Sequence, residues 1–307
     1  MLRHLRKQVR LFVLILAGLV LIVVYWTRCT PLTHDENSPL IFVGGFPRSG
    51  TTLMRVMLDT LPDIRCGQET RVIPKLLLHV GEYTYRERMR LDAAGVTSQV
   101  LDSAVAKFIL QVMTSHGAPA KRLCNKDPLT LRNMTYLARV FPNSKFVFLV
   151  RDGRAVVHSI VSRRILIRGI NSSDYESLLR TWDRAVMGMN TQCESLGRKR
   201  CLRVPYEHVI LHSRKAMESV LEFLEIEWDE RVLHHEQSVG LPGGPVISRL
   251  ERSSDQVVKP LNFDALYRWV GAIPQHVAET AGKLAPMLTV LGYDAQVYRP
   301  DYIQLKT

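Results

Sequence analysis

Phe42-Val-Gly-Gly-Phe-Pro-Arg-Ser-Gly-Thr-Thr-Leu-Met54 decides the fold. It reads as an apolar strand, a tight Gly/Pro turn, and a helix opened by Arg48-Ser49-Gly50-Thr51-Thr52. The first N–H groups of a helix have no intrahelical acceptor and point outward, so this start is an anion cradle. A Walker phosphate loop would read G-x-x-x-x-G-K-[ST]. Gly45 and Gly50 keep that spacing, but Thr51 stands where the lysine belongs, and the cation has moved to Arg48.

Outward from the loop, apolar runs alternate with helical periodicity. Leu40–Gly44 and Lys145–Val150 read as parallel strands buried on both faces. Leu123–Lys126 reads as a strand end and Leu202–Tyr206 as a further strand. Helices are predicted after Gly50 (Leu53, Met54, Met57, Leu58), around Val105–Val112, along Tyr175–Val186 and around Ala216–Leu224. Strands alternating with helices predict an α/β fold, an open parallel sheet with helices on both faces. Ligands bind such sheets at the carboxyl ends of the strands. The loop, Lys126 and Arg151 all fall there.

The 307 residues carry a formal net charge of +12, and 46% are hydrophobic, which excludes a largely disordered chain. Arg3, Arg6, Lys7 and Arg10 supply four of these charges, leaving +8 for the rest. Such a balance favours anionic partners. No aromatic-interleaved basic module singles out nucleic acid. Leu11–Thr27 is uncharged and almost wholly apolar, and as a helix it spans about 25 Å. Basic residues before it and Tyr25-Trp26 after it predict a signal anchor with the N-terminus cytosolic; a cleaved signal peptide is the competing reading. The expected layout is a tail (residues 1–10), an anchor (11–27), a luminal stem (28–38) and a luminal domain (39–307). Cys29, Cys66, Cys124, Cys193 and Cys201 fit an oxidising compartment, and four cysteines in the body allow three pairings. Asn133-Met-Thr and Asn171-Ser-Ser are glycosylation sequons. His234-His235-Glu236 lacks metal-site spacing, and no metal is expected.

Five segments carry a resemblance: Pro47–Arg55, Cys66-Gly-Gln-Glu-Thr-Arg71, Cys124-Asn-Lys-Asp-Pro128, Val150-Arg-Asp-Gly-Arg154 and Glu251-Arg-Ser-Ser-Asp-Gln256. Together they resemble the protein-tyrosine sulfotransferases, Golgi enzymes that use 3′-phosphoadenosine-5′-phosphosulfate (PAPS). The loop alone resembles that of many sulfotransferases. The resemblance implies a sulfotransferase fold, PAPS as donor and acidic tyrosine-containing proteins as substrates. It also implies a homodimer in the Golgi membrane, single-pass type II with a luminal catalytic domain.

Residue by residue, the resemblance implies that Arg48, Ser49, Gly50, Thr51 and Thr52 hold the 5′-phosphosulfate. Arg151 and Ser159 would bind the 3′-phosphate, with Arg163 and Arg268 also on the nucleotide. Tyr206 and the run Ser253, Ser254, Asp255, Gln256, Val257, Val258, Lys259, Pro260, Leu261, Asn262 would close over the donor. Glu69 would be the base, with Arg48, Lys126 and Ser253 stabilising the transition state. Arg71, Val72, Ile73, Pro74, Lys75 and Arg90 would hold the peptide. The implied disulfides are Cys66–Cys124 and Cys193–Cys201. Two departures bear on donor affinity and peptide preference: Arg268 replaces the usual lysine, and Lys75 a usual arginine.

The chemistry is consistent with those roles. A phenol is mostly protonated near neutral pH, so sulfuryl transfer to it gains from a base. Preorganised cations around the moving group are commonly the largest catalytic contribution. Arg151 has an alternative partner in Asp152 or Asp127. The competing functions are a carbohydrate sulfotransferase, a nucleotide kinase and an inactive luminal peptide-binding relative. The missing Walker lysine opposes the kinase, and the Arg48, Glu69, Lys126 and Ser253 set opposes the inactive relative.

Overall fold

A computed structural model describes residues 33–166, 174–248 and 250–305. The chain divides into two units, Met1–Thr33 and His34–Thr307, and every element below belongs to the second. The apolar run Leu11–Thr27, Cys29 and the sequon at Asn171 lie outside the described residues. Among the described residues no helix is long and apolar enough to cross a membrane.

In chain order the elements start with β1 (Ile41–Gly45), α1 (Thr51–Asp59), β2 (Ile64–Arg65), α2 (Val72–Gly81), α3 (Tyr85–Ala93) and α4 (Ser98–Ser115). They continue with β3 (Arg122–Lys126), α5 (Met134–Val140), β4 (Lys145–Val150), α6 (Gly153–Ser162) and α7 (Tyr175–Leu196). Last come β5 (Cys201–Pro205), α8 (Tyr206–Leu211), α9 (Ser213–Leu224) and α10 (Gln275–Leu284), with short helical segments between and after them.

The five strands form one sheet in the order β2-β3-β1-β4-β5, with every pair parallel. β1 is buried throughout and β4 almost so, as a parallel strand covered on both faces must be. Phe42 pairs in register with Phe146, and their rings stack at 5.5 Å. From β1 the chain builds first toward β3 and β2, then returns to β4 and β5. That reversal opens a crevice at the carboxyl end of β1, the switch point where open sheets bind ligands.

Every residue of α1 is buried, including Arg55 and Asp59. α7 carries the inward stripe Leu178, Leu179, Trp182, Val186 and Met189. Trp182 packs so tightly on Gly153 that a Cβ there would lie 2.7 Å from the ring, which fixes α7 against the start of α6. Both implied disulfides, Cys66–Cys124 and Cys193–Cys201, are formed.

The predicted strands sit within one residue of their observed positions, with Tyr206 opening α8 instead of ending β5. The elements not read from sequence are β2, α2, α3, α5, α8 and α10. β2 is two residues long, and α3 buries none of its side chains, so neither carries an apolar period. A Thr84–Glu87 capping box starts α3.

Candidate active site

The loop after β1 is built from backbone that most residues avoid. Gly50 takes φ 93°, and a Cβ on it would fall 2.3 Å from the Tyr206 ring, so only glycine fits. Arg48 also has positive φ, 78°, a conformation that costs a non-glycine residue about 1–3 kcal/mol and clusters at ligand sites. No side chain caps α1, so its first-turn N–H groups face the crevice uncapped. The Ser49 hydroxyl is buried without a hydrogen-bond partner.

Arg48 reaches out of this loop and clasps two other segments. Its Nε donates to Ser159 Oγ at 3.0 Å, and its Nη1 and Nη2 donate to Ser253 Oγ at 2.6 Å and Gln256 Oε1 at 2.9 Å. Burial, with Arg163 and Arg151 close by, pulls its guanidinium down to about 10. Arg151 pairs with neither aspartate weighed from sequence. It donates to the carbonyls of Arg48 (3.0 Å) and Ala265 (2.7 Å) and lies 4.4 Å over the Tyr206 ring. Its Nε is buried and unpartnered. Asp152 is taken instead by Arg154, at 2.8 Å. Arg163 donates through both Nη atoms to Asp255, at 3.1 and 3.0 Å.

Across the crevice stands a row of charges. Lys126, at the end of β3, is fully buried and donates to Glu69 Oε2 at 3.0 Å and to Glu251 Oε1 at 2.9 Å. Its Nζ is 3.5 Å from Thr52 Oγ1. Arg71 Nε donates to the other Glu69 oxygen at 2.8 Å. Burial pushes the Glu69 carboxyl up, but the Lys126 charge and the bonds from Arg71 and Lys126 outweigh it and hold Glu69 below the usual range. Arg71, at φ 60°, is the left-handed residue before α2, fixed by its N–H bond to Asp127 at 2.8 Å.

Arg48, Thr51, Thr52, Glu69, Arg71, Lys75, Tyr206 and Ser253 line one cavity of about 560 Å³, whereas Lys126, Glu251 and Ser159 stand behind its wall. A second cavity of about 480 Å³ takes in Arg163, Asp255 and Arg268. Gln256, Lys259, Pro260, Leu261 and Asn262 line both, so this segment borders the whole crevice. Asn133 and Pro74 line the larger cavity, but Val72, Ile73 and Arg90 of the implied peptide residues do not. Ile73 is fully buried, because it falls on the core face of α2 with Leu77. Arg90 lies on the exposed helix α3, away from the cavity lining. Glu251, Arg55 and Arg132 have no role read from sequence, and Asp127 only that of a partner for Arg151. Arg55 and Asp59 carried a signal, charges four apart within an otherwise apolar helix. Among the described residues no His, Cys, Asp and Glu cluster could hold a metal ion.

Fold and loop define a sulfotransferase. Residues 39–230 match the family described as Sulfotransferase family. The sulfotransferase domain from the curacin biosynthetic pathway shares the fold, with TM-score 0.59 at 18% identity over 85% of this chain and 99% of that one. The chain is 51% identical to protein-tyrosine sulfotransferase 2 of Gallus gallus over 88% of its own length and 73% of that protein. It is 52% identical to protein-tyrosine sulfotransferase 1 of Danio rerio (89% and 77%) and 51% identical to the Homo sapiens protein of that name (88% and 73%). The chain belongs to the protein-tyrosine sulfotransferase family.

Proposed function

We propose that this chain transfers the sulfuryl group of PAPS to tyrosine hydroxyls of protein substrates, giving tyrosine O-sulfate. The observation that carries this reading is Glu69, held from behind by the buried Lys126, facing the uncapped start of α1 across one cavity. The unpartnered Ser49 hydroxyl and Arg151 Nε fit a donor with an anionic group at each end. In this reading Arg48, Ser49, Gly50, Thr51 and Thr52 hold the 5′-phosphosulfate. Arg151 and Ser159 take the 3′-phosphate, with Arg163, Arg268, Tyr206 and Ser253–Asn262 around the nucleotide.

The phenol oxygen attacks sulfur in line. An O–S bond forms as the bond from sulfur to the donor's 5′-phosphate oxygen breaks, and 3′-phosphoadenosine 5′-phosphate leaves. Glu69 takes the phenol proton, while Lys126 meets negative charge growing on the leaving oxygen. Arg48 and Ser253, already 2.6 Å apart, stabilise the sulfuryl oxygens. Arg71, Pro74 and Lys75 line the approach of an acidic peptide, with Val72 exposed beside them. Arg90 can serve the peptide only at a distance from the cavity or across a homodimer.

The two disulfides support a secretory compartment. The same reading makes the protein a Golgi type II enzyme anchored by residues 11–27, with stem 28–38, luminal domain 39–307 and glycans on Asn133 and Asn171. Incubating the purified chain with labelled PAPS and either an acidic tyrosine peptide or a glycan acceptor tests the reaction. Sulfotyrosine is expected, and label on the glycan alone would overturn it. Glu69→Gln should cut turnover at least about 100-fold while sparing donor binding.

A further inference from the structure

We infer that Glu251 is a positioning residue that shares Lys126 with Glu69 and thereby keeps Glu69 basic enough to take the phenol proton. The inference rests on the reading of Glu69 as the base. Glu251 is buried, and both its oxygens are committed. Oε1 accepts from Lys126 Nζ at 2.9 Å and from the backbone N–H of Glu69 at 3.0 Å. Oε2 accepts from Arg55 Nη2 at 2.7 Å. One carboxylate therefore grips both the cation beside the base and the backbone of the base itself. It stands two positions before Ser253, whose hydroxyl accepts from Arg48.

The charges alternate along this row: Asp59, Arg55, Glu251, Lys126, Glu69, Arg71. Glu69 is faced by Lys126 and Asp127 from the end of β3, by its neighbour Arg71 and by Glu251. Arg55 of α1 stands behind Glu251, and the His116 ring lies against the Gln68 N–H at 3.3 Å. A buried ammonium left without a carboxylate is costly. If Glu69 were the sole counter-ion of Lys126, each proton it accepted would strand that charge, and Glu69 would resist protonation. With Glu251 in place, Lys126 keeps one carboxylate when Glu69 is protonated. The base can then work, and Lys126 stays where the leaving oxygen needs it.

The test is the pH dependence of kcat/KM for the full-length Glu251→Gln enzyme on an acidic tyrosine peptide. The acidic limb should move down by about one pH unit, because Glu69 becomes more tightly paired. The plateau should fall about ten-fold as the base weakens. Glu251→Asp keeps the charge and should return the limb toward that of the parent. If Glu251→Gln alone does not fold, the Arg55→Met/Glu251→Gln enzyme removes the two buried charges together and should shift the limb in the same direction. An unmoved limb in the variant that folds, with only a lower melting temperature, would make Glu251 a structural residue and overturn the proposal. The Glu69→Gln enzyme separates the two readings. If the limb persists there at full activity, Glu69 is not the base, and the role of Glu251 falls with it.

Discussion

Glu69 and Lys126 meet at 3.0 Å because a covalent bond joins the segments that carry them. Cys66 follows β2, Cys124 lies within β3, and their disulfide holds those segments together just before the base and the lysine are reached. The two ion-pair partners are 57 positions apart, so the bridge removes most of the chain freedom that their meeting would otherwise cost.

Replacing Cys66 and Cys124 by alanine should therefore damage both stability and catalysis. Loop-closure entropy for a separation of 58 corresponds to about 4 kcal/mol, against about 2.5 kcal/mol for the separation of 8 between Cys193 and Cys201. Thermal unfolding should show the larger loss for the first pair. Turnover of whatever remains folded should also fall for the first pair and hold for the second. Equal turnover in both double variants would show that the first bridge does not position the base.

Arg151→Ala should weaken binding of 3′-phosphoadenosine 5′-phosphate far more than binding of adenosine 5′-phosphate. The difference should be about 1.5–3 kcal/mol, the usual contribution of a hydrogen bond to a charged group. Arg151 also supports the carbonyl of Arg48, so some loss for both nucleotides is expected from a loosened loop. Calorimetric titration of each nucleotide separates the two effects. Equal losses would mean that Arg151 only braces the loop.

The parts of this site legible in sequence were those carried by local pattern. The buried runs of β1 and β4 and the glycines at 45 and 50 each announce their backbone within a few residues. Glu251 and Arg55 escaped because their pairing spans 196 positions, and no periodicity links a loop glutamate to an arginine inside an apolar helix. Ile73, which the resemblance places on the peptide, has the opposite difficulty: it is buried. Its neighbours Arg71 and Lys75 line the cavity, but helical geometry turns the side chain between them into the core. α3 was missed although its Thr84–Glu87 box was readable, since a helix with no buried face shows no amphipathic signal.

Glu207 should make stability fall as pH rises toward neutral. It is fully buried, and burial lifts its carboxyl from the ordinary 4.5 to about 7. It accepts from the Asp152 N–H at 3.0 Å and from the Tyr293 hydroxyl at 2.8 Å. Below pH 4.5 both folded and unfolded chains hold this proton. Between 4.5 and about 7 the folded chain binds more protons than the unfolded one, so stability declines across that window. The decline from this group is about 3 kcal/mol. Glu207→Gln should remove it, so its melting temperature should gain on the parent's as pH is raised through the window. Parallel curves would show that Glu207 ionises freely.

Acceptor choice should follow the cations that remain available on the cavity wall. Arg71 is committed to Glu69 at 2.8 Å, whereas Lys75 and Arg132 line the same cavity with no ion-pair partner among the described residues. Arg132 is exposed on that wall, with its guanidinium lowered from its ordinary value by the protein packed around it. Attraction between such groups and an acidic peptide reaches about 8–10 Å at moderate salt and fades as salt rises. Tyrosines flanked by Asp or Glu should therefore be sulfated with higher kcat/KM than the same tyrosine flanked by Ser or Lys. The advantage should shrink at high ionic strength. Lys75→Ala and Arg132→Ala should each erode it at low salt while leaving kcat on a saturating peptide nearly intact, because neither side chain touches Glu69 or Lys126 in the contacts above. Arg71→Ala should lower kcat as well, since it frees one oxygen of Glu69. Steady-state kinetics on matched acidic and neutral peptides at two salt concentrations decide the matter. Equal kcat/KM for both peptides at low salt would mean that these cations do not select the substrate.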